Sequence, residues 1–216
     1  MILKMTTEKG SRAEETKRRI LQAAGELFAE RGFQAVTMRE IAKRAGCSHT
    51  AIYMHCKDKE ELLHQLAVPP LEEFRSELQT LLEANPVGSV AALQQASFGW
   101  MRFSLQYRSI ASVIVTMKSV RVDEPAPELK INQIRLVIFN LLSEVLVRSL
   151  PVGLTENQKL MCSRIYFYLL MGVLNTYIDS EENTAELLKR LTPILEESMN
   201  VMHAGMLQQY GEGNGK

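Results

Sequence analysis

The sequence contains no long hydrophobic run and only three cysteines in 216 residues. Its most apolar run, residues 165–174, is much shorter than the ~20 residues that a membrane-spanning helix needs. The N-terminal residues lack the apolar core of a signal peptide. The cysteines form no CxxC pair, which argues against a framework of closely spaced disulfides. Together these absences predict a reduced, cytoplasmic protein rather than a secreted or membrane protein.

Catalytic signatures are also missing. The sequence has no Gly-rich phosphate loop, no HExxH motif and no pattern of a nucleophile with its base. It therefore predicts no enzyme, and no cofactor is expected.

The net charge is zero, but the charges are unevenly distributed. Residues 1–63 contain 12 Lys and Arg against 9 Asp and Glu, whereas the remainder contains 13 against 16. This basic excess in the N-terminal part would favour attraction to phosphates. Hydrophobic residues make up 46% of the chain, which is enough for a folded core.

Two very short helices around a tight turn are predicted within residues 37–59. Thr37 and Glu40 have the spacing of a capping box, Gly46 can end that helix, and Ser48 can cap the next one. Two caps about eleven residues apart with a glycine between them describe a helix-turn-helix. In that motif the second helix enters the DNA major groove, so DNA binding is the leading hypothesis.

Apolar residues recur at helical spacing elsewhere, and no segment alternates with the period of a strand. We therefore predict an all-α protein of about nine helices, including one over residues 109–120. The expected parts are a flexible arm (1–10), a helix-turn-helix DNA-binding domain (11–57), a larger ligand-binding and dimerisation domain (58–208) and a disordered tail (209–216). Pro69-Pro70 is expected to break or kink the fourth helix and to form a hinge.

Residues 16–63 closely resemble the TetR family of bacterial transcriptional regulators. The matching residues are Thr16, Ile20-Leu21, Ala23-Ala24, Leu27-Phe28, Gly32-Phe33, Thr37, Ile41-Ala42, Ala45-Gly46, Ser48, Tyr53, Lys57, Lys59, Glu61 and Leu62. The chain departs from the family pattern at Thr50, His55 and Cys56, where Gly, Tyr and an aromatic residue are common. The C-terminal two-thirds of the chain resembles the family in its architecture only.

A DNA-binding surface follows from this segment. His49 and Thr50, on the exposed side of the recognition helix, can donate to base edges. The resemblance implies that Tyr53 donates its hydroxyl to a phosphate. The candidate DNA-binding residues are Thr37, Arg39, Arg44, Ser48, His49, Thr50, Tyr53, His55, Lys57 and Lys59.

Four side chains in this region, Cys47, His49, His55 and Cys56, are of types that bind zinc. Their spacing does not favour a zinc site, and a reduced cysteine can serve as a small hydrophobe at either position. No metal site is predicted. A response to redox change or metal through the cysteines is kept as an alternative.

A pocket for a small effector is expected among the helices of residues 87–178. Its candidate walls are Trp100, Met101, Phe103, Tyr107, Met117, Phe139, Phe167 and Met171. Arg102, Asn140 and Asn175 could serve as polar anchors in an otherwise apolar pocket. Since few buried charges are foreseeable, we expect a neutral or amphipathic organic effector.

The last two helices have the pattern of a dimer interface, in which large apolar residues and small ones recur at spacings of three and four. The candidate interface residues are Ile165, Tyr168, Gly172, Leu187, Leu191, Ile194, Ser198 and Val201. Two such hairpins would form a four-helix bundle between two chains.

The sequence thus predicts a homodimeric regulator that binds a palindromic operator in double-stranded DNA. It would act as a repressor and be released from the operator by its effector. Three alternatives remain open: an activator of the same fold, a regulator that responds through its cysteines, and a ligand-binding protein without DNA recognition.

Overall fold

The computed structural model describes residues 2–108, 110, 111 and 130–211, the first ten of them by their backbone alone. The all-α prediction is confirmed: these residues form eight helices and no strand. Met117, most of the helix predicted over residues 109–120, and residues 212–216 lie outside the described part. Within that part, no helix is both long and apolar enough to cross a membrane.

The described residues form two compact units. The first contains residues 2–69 with 108, 110 and 111, and comprises α1 (Ile2–Arg31), α2 (Met38–Ala45), α3 (His49–Ile52) and the start of α4 (Lys59–Ala84). The second contains residues 70–107 and 130–211, and comprises the rest of α4 with α5 (Val90–Gln106), α6 (Lys130–Arg148), α7 (Glu156–Tyr177) and α8 (Thr184–Gly211).

Helix α1 is longer than the sequence predicted. It begins at Ile2, so the expected flexible arm is helical from residue 2 onwards. The segment has no proline, and its one glycine, Gly10, costs a helix only ~1 kcal/mol, so a helix nucleated further along can extend through it. The helix ends before Gly32, which adopts a left-handed φ of 77° and donates its N–H to Phe28 O at 3.0 Å.

The core of the first unit comes from one apolar stripe of α1 and the inward faces of α2 and α3. Ile20, Ile41 and Ile52, one from each helix, are fully buried. The rings of Phe28 and Phe33 lie 5.1 Å apart at the end of α1. These short helices bury their small apolar faces against α1, and packing of this kind stabilises helices too short to persist alone.

Helix α4 runs without interruption from Lys59 to Ala84, so Pro69-Pro70 does not break it. Each proline removes one backbone hydrogen bond from the helix. Burial of Ala67, Pro70 and Leu71 offsets the lost hydrogen bonds, because it holds the helical turns before and after the prolines in place. The division between the two compact units falls between Pro69 and Pro70.

The second unit is built around α5, which is buried on two faces and contacts α6, α7 and α8. On one face, the Ser97 hydroxyl donates to Leu93 O at 2.7 Å and lies 2.9 Å from the Tyr166 hydroxyl. Because Ser97 has a single O–H, Tyr166 donates in that pair. Both residues are buried, and their hydrogen bond links α5 to α7.

The loop before α5 requires a glycine. A Cβ at Gly88 would lie 2.1 Å from the carbonyl carbon of Arg148, which is backbone and cannot move aside. The Arg148 guanidinium in turn donates to Leu82 O at 2.9 Å, near the end of α4. The close approach at Gly88 and this hydrogen bond hold the α4–α5 loop against the end of α6.

Candidate nucleic-acid interface and effector region

The start of α2 is fixed by a complete capping box. The Glu40 N–H donates to Thr37 Oγ1 at 3.3 Å, and the Thr37 N–H donates to Glu40 Oε2 at 2.9 Å. The Thr37 hydroxyl also donates to Glu40 Oε2 at 2.7 Å, and the Arg31 guanidinium donates to Glu40 Oε1 at 2.7 Å. The Thr37 and Arg31 donors together hold the pKa of the Glu40 carboxyl at about 2.

The turn after α2 has the conformation that its glycine predicts. Gly46 adopts φ 67° and ψ 35°, and its N–H donates to Lys43 O at 3.3 Å. The N–H of Cys47 donates to Ala42 O at 3.0 Å. This left-handed C-cap reverses the chain between α2 and α3, as a helix-turn-helix requires.

Helix α3 presents a compact polar and aromatic surface. Its N-cap, Ser48, accepts a 3.0 Å hydrogen bond from the Ala51 N–H, and Ile52 is fully buried beneath it. The exposed positions of the helix and the turn after it are His49, Thr50, Tyr53 and Met54. The His49 and Tyr53 rings meet edge to face, with centroids 5.2 Å apart.

The remaining DNA-binding candidates differ in what they contact. Arg39 and Lys57 are exposed, and Thr37, also exposed, is the N-cap of α2. His55 is half-buried, and its N–H donates to Ile52 O at 3.0 Å. Arg39 and Lys57 are therefore available to a phosphate backbone, whereas the Thr37 hydroxyl already donates to Glu40.

Arg44 is exposed but paired with acidic residues of α1. Its guanidinium makes two 2.9 Å hydrogen bonds to the two carboxylate oxygens of Glu30 and one of 3.5 Å to Glu26. The bidentate pair lowers the pKa of Glu30. Arg44 thus joins α2 to α1, a role that the sequence did not indicate.

Lys59 is also directed into the first unit rather than towards solvent. Its ammonium donates to Phe33 O at 3.0 Å, Gln34 O at 3.3 Å and Val36 O at 3.4 Å. It also lies 4.6 Å from the centroid of the Phe33 ring. This half-buried lysine joins the start of α4 to the segment between α1 and α2, a different environment from the DNA contact for which it was a candidate.

The cysteines behave as apolar side chains. Cys56 is buried, and Gln65 Nε2 lies 3.7 Å from its sulfur. Burial raises the pKa of the Cys47, Cys56 and Cys162 thiols, which disfavours the reactive thiolate. Within the described ranges, no three His, Cys, Asp or Glu side chains are grouped to hold a metal ion.

Most of the predicted effector residues that the structure describes form a continuous aromatic cluster in the second unit. The Trp100 ring lies 6.1 Å from Phe103 and 6.3 Å from Phe167. Phe103 contacts Tyr107 at 5.4 Å, and Phe139 contacts Phe167 edge to face at 5.5 Å. We call Trp100, Phe103, Tyr107, Phe139 and Phe167 the aromatic cluster.

Two methionines predicted to line the pocket lie outside these ring contacts. Met101 is buried one turn after Ser97 on α5, and Met171 is half-buried on α7. The predicted polar anchors do not enter the cluster. Asn140 and Asn175 are exposed, and Arg102 is exposed and pairs with Glu77 at 2.7 Å. Arg102 and Glu77 line an open groove of about 300 Å³ between α4 and α5.

Arg135 is a candidate ligand-binding residue that was not predicted from the sequence. Arg135, on α6, is half-buried, and its guanidinium donates to Asn132 Oδ1 at 3.1 Å. The signal was visible, since this charged residue interrupts the apolar stripe of Ile131, Ile134 and Ile138.

The predicted dimer residues divide between a surface and the core. On α7, Ile165, Tyr168 and Gly172 are exposed; on α8, Ile194 and Val201 are exposed and Ser198 is half-buried. Leu187 and Leu191 are fully buried within the chain, so assigning them to the interface was wrong. They belong to a second stripe of α8, with Leu195 and Met199, on the face that packs inside the unit.

Known proteins resemble part of this chain by sequence and most of its length by fold. The model of a family described as "Bacterial regulatory proteins, tetR family" matches residues 20–66. The HTH-type transcriptional regulator AcrR of Shigella flexneri is 36% identical over 78 residues, which is 35% of this chain and 36% of that protein. The HTH-type transcriptional repressor BepR of Brucella suis is 34% identical over 128 residues, 51% of this chain and 61% of that protein.

These matches span about a third to three fifths of the length of the two relatives. The solved structure of the ketosteroid transcriptional regulator KstR2 of Mycobacterium tuberculosis superposes with a TM-score of 0.67. The superposition covers 88% of this chain and 94% of the KstR2 chain, at 18% sequence identity. At that identity the similarity shows a shared fold and nothing more. With the capped α2, the glycine turn and α3 in place, residues 20–66 form a helix-turn-helix unit that matches the TetR family of bacterial regulatory proteins.

Proposed function

We propose that this protein is a ligand-responsive DNA-binding transcriptional regulator. It binds a palindromic operator as a homodimer, represses transcription, and leaves the operator when a small organic molecule binds its second unit. Its relatives are regulators rather than enzymes, and the repressor role rests on the name given to BepR. Since its DNA would lie in the bacterial cytoplasm, we place the protein there.

The observation that carries this proposal is the surface of α3. His49, Thr50 and Tyr53 are exposed together, while Ile52 beneath them is fully buried. A fixed helix with exposed donors is what major-groove reading requires. His49 and Thr50 would contact base edges, and the Tyr53 hydroxyl would contact a phosphate.

Phosphate contacts would come from the flanks of α3. Arg39 on α2 and Lys57 after α3 are exposed, and cations at such positions set the register of a protein on the duplex. Thr37 would act by capping α2, because its hydroxyl donates to Glu40. Arg44 and Lys59 would contribute indirectly, by fixing α2 and the start of α4. We assign DNA binding to residues 11–57 and ligand binding with dimerisation to residues 58–208.

Exposed apolar residues on α7 and α8 support a homodimer. Tyr168 and Val201 are each 64% exposed, and Ile165 is 45% exposed. These side chains recur at helical spacing beside the small residues Gly172 and Ser198, as in a four-helix interface between two copies. Two-fold symmetry would then place two α3 helices in successive major grooves of a palindromic site.

Helix α4 can carry the effector signal, because it contributes residues to both compact units without a break. An effector that binds the DNA-free state more tightly would shift the population towards that state. The size of the response is set by the difference between the two affinities.

The test uses fluorescence anisotropy with the full chain and a labelled duplex from the region upstream of its gene. We expect tighter binding to this duplex than to a scrambled duplex of equal composition. We also expect affinity to fall steeply with salt, because bound phosphates release counterions. Equal affinity for both duplexes, or no dependence on salt, would contradict the proposal.

A further inference from the structure

The buried face of α6 carries a positive charge that pairs with no acidic side chain among the residues that the structure describes. Arg135 lies in the apolar stripe between Ile131 and Ile138, and its one hydrogen bond in the described part of the chain goes to Asn132 Oδ1 at 3.1 Å. No carboxylate within the described ranges pairs with it. Burial lowers the pKa of the Arg135 guanidinium, because the charged form loses hydration there.

An arginine in such a place stays charged, so its desolvation is a cost that an anion can offset. Its planar N–H groups match the two oxygens of a carboxylate, and bidentate pairs of this kind are strong and directional. A neutral ligand could accept hydrogen bonds from Arg135 but would leave the charge unpaired. The chemistry of this position therefore favours an organic acid.

Aromatic rings continue from Arg135 towards α5. Phe139 follows Arg135 by one helical turn and shares its face of α6. The Phe139 ring meets Phe167 at 5.5 Å, and Phe167 meets Trp100 at 6.3 Å. This path provides an apolar surface next to the cation, as a ligand with a charged head and an apolar body would require.

Two buried side chains on α5 carry donors whose partners are not among the described residues. Trp100 Nε1 and Ser104 Oγ have no hydrogen-bond acceptor among the residues that the structure describes. Trp100 is 9% exposed and Ser104 is fully buried, and they lie one turn apart on the same face. Buried polar groups in native proteins nearly always have hydrogen-bond partners. A bound molecule could supply the acceptor for Trp100 Nε1 or Ser104 Oγ.

We propose that the second unit binds a small organic acid whose carboxylate pairs with Arg135. Its apolar body lies against Phe139 and Phe167, and Trp100 Nε1 or Ser104 Oγ donates to any second acceptor on it. This narrows the expected effector from a neutral or amphipathic molecule to an amphipathic anion. The regulatory meaning of the site rests on the proposed function, but binding of the acid can be measured without DNA.

Trp100 is the chain's one tryptophan and its ring lies 6.3 Å from Phe167, so its fluorescence should respond to a ligand that reaches Phe167. The probes are two matched pairs, octanoate with octanamide and 4-phenylbutanoate with 4-phenylbutanamide, titrated into the full-length protein at neutral pH. We expect at least one acid to change the Trp100 emission saturably. Its amide should bind about tenfold more weakly or worse, because it cannot pair with the charge.

Three variants separate the role of Arg135 from general effects. Arg135→Met should lose the preference for acid over amide. Arg135→Lys keeps the positive charge but cannot make the bidentate hydrogen bonds of a guanidinium. It should therefore still prefer acid to amide, with a lower affinity for the acid. Arg102→Met, which removes an exposed cation paired with Glu77, should bind like the wild type. If Arg135→Met fails to fold, as judged by circular dichroism, Arg135→Lys decides.

The inference is overturned if acid and amide bind equally to the wild type, or if no acid gives a saturable change up to its solubility. It is also overturned if a folded Arg135→Met still prefers acid to amide. If only Arg135→Lys folds, the inference is overturned when this variant binds the acid as tightly as the wild type or shows no preference for acid over amide. DNA binding of the same preparation is measured in parallel. Operator binding without acid binding would overturn this inference alone, whereas acid binding without operator binding would overturn the proposed function alone.

Discussion

The ammonium of Lys59 lies 4.6 Å from the centroid of the Phe33 ring and donates a 3.0 Å hydrogen bond to the backbone oxygen of the same residue. The carbonyls of Gln34 and Val36 accept from the same nitrogen. The first residue of α4 is thereby joined to the segment that leads from α1 into α2. Since α3 lies between α2 and α4 in the chain, this lysine helps to hold the candidate recognition helix in place.

Replacing Lys59 by methionine should therefore destabilise the first unit. The change keeps an apolar stem but removes three hydrogen bonds and a cation–π contact, which predicts a loss of roughly 1–3 kcal/mol. Urea denaturation followed by circular dichroism measures it. Lys57→Met is the matched control, because the Lys57 side chain is exposed and should change stability little. Equal stability of the two variants would mean that the Lys59 contacts contribute nothing.

Tyr53→Phe should weaken DNA binding without altering the fold. Tyr53 is 47% exposed, and its ring contact with His49 is kept by phenylalanine. Each protomer of the proposed homodimer loses a phosphate hydrogen bond of about 1 kcal/mol, and the two losses together predict roughly thirtyfold weaker binding to operator and scrambled duplexes alike. Anisotropy titrations test this, and circular dichroism checks that the variant keeps the fold. A loss confined to the operator would instead assign Tyr53 to base reading.

Stability in acid should depend on Glu40. Its folded pKa of about 2 is below the usual 4.5, so the charged carboxylate contributes stability above about pH 4.5, and this is lost as the pH falls towards 2. Glu40→Gln should lower the urea midpoint at neutral pH and show a smaller further drop in acid. The exposed Glu83→Gln is the control. Parallel pH profiles for wild type and Glu40→Gln would show that the capping box does not carry this linkage.

The capping signals allowed α2 and α3 to be predicted closely from sequence, whereas the start of α1 was not. Thr37 with Glu40, Gly46 at positive φ, and Ser48 are local devices whose geometry depends on a few neighbouring residues. Such devices act through backbone hydrogen bonds within one turn, so residue type and spacing suffice to identify them.

Features that depend on long-range packing could not be predicted in this way. The inward direction of Lys59 depends on carbonyls 23 to 26 residues earlier in the chain. Leu187 and Leu191 share helical spacing with exposed residues of α8, and only the packing of that helix shows which stripe is buried. The continuity of α4 through Pro69-Pro70 likewise reflects burial on either side of the two prolines.

If the proposed homodimer forms through α7 and α8, placing charges on that surface should change the oligomeric state. The double variant Ile165→Glu with Val201→Glu places charges on the exposed faces of α7 and α8, which should separate the two copies because buried unpaired charges are costly. Analytical ultracentrifugation should show a monomer with weakened operator binding. Val152→Glu, at a residue 94% exposed outside these helices, is the control. A double variant that sediments like the wild type would exclude this surface as the interface.

We propose that α3 reads the DNA sequence. Selection of binding sites from a random duplex library is the sharpest test of this role. Wild-type protein should enrich a palindromic sequence with half-sites about one helical turn apart. His49→Ala should still enrich a palindrome, but with changed preference at the base pairs that His49 contacts. Enrichment of no sequence by the wild type, or of an identical sequence by His49→Ala with Thr50→Ala, would contradict the account.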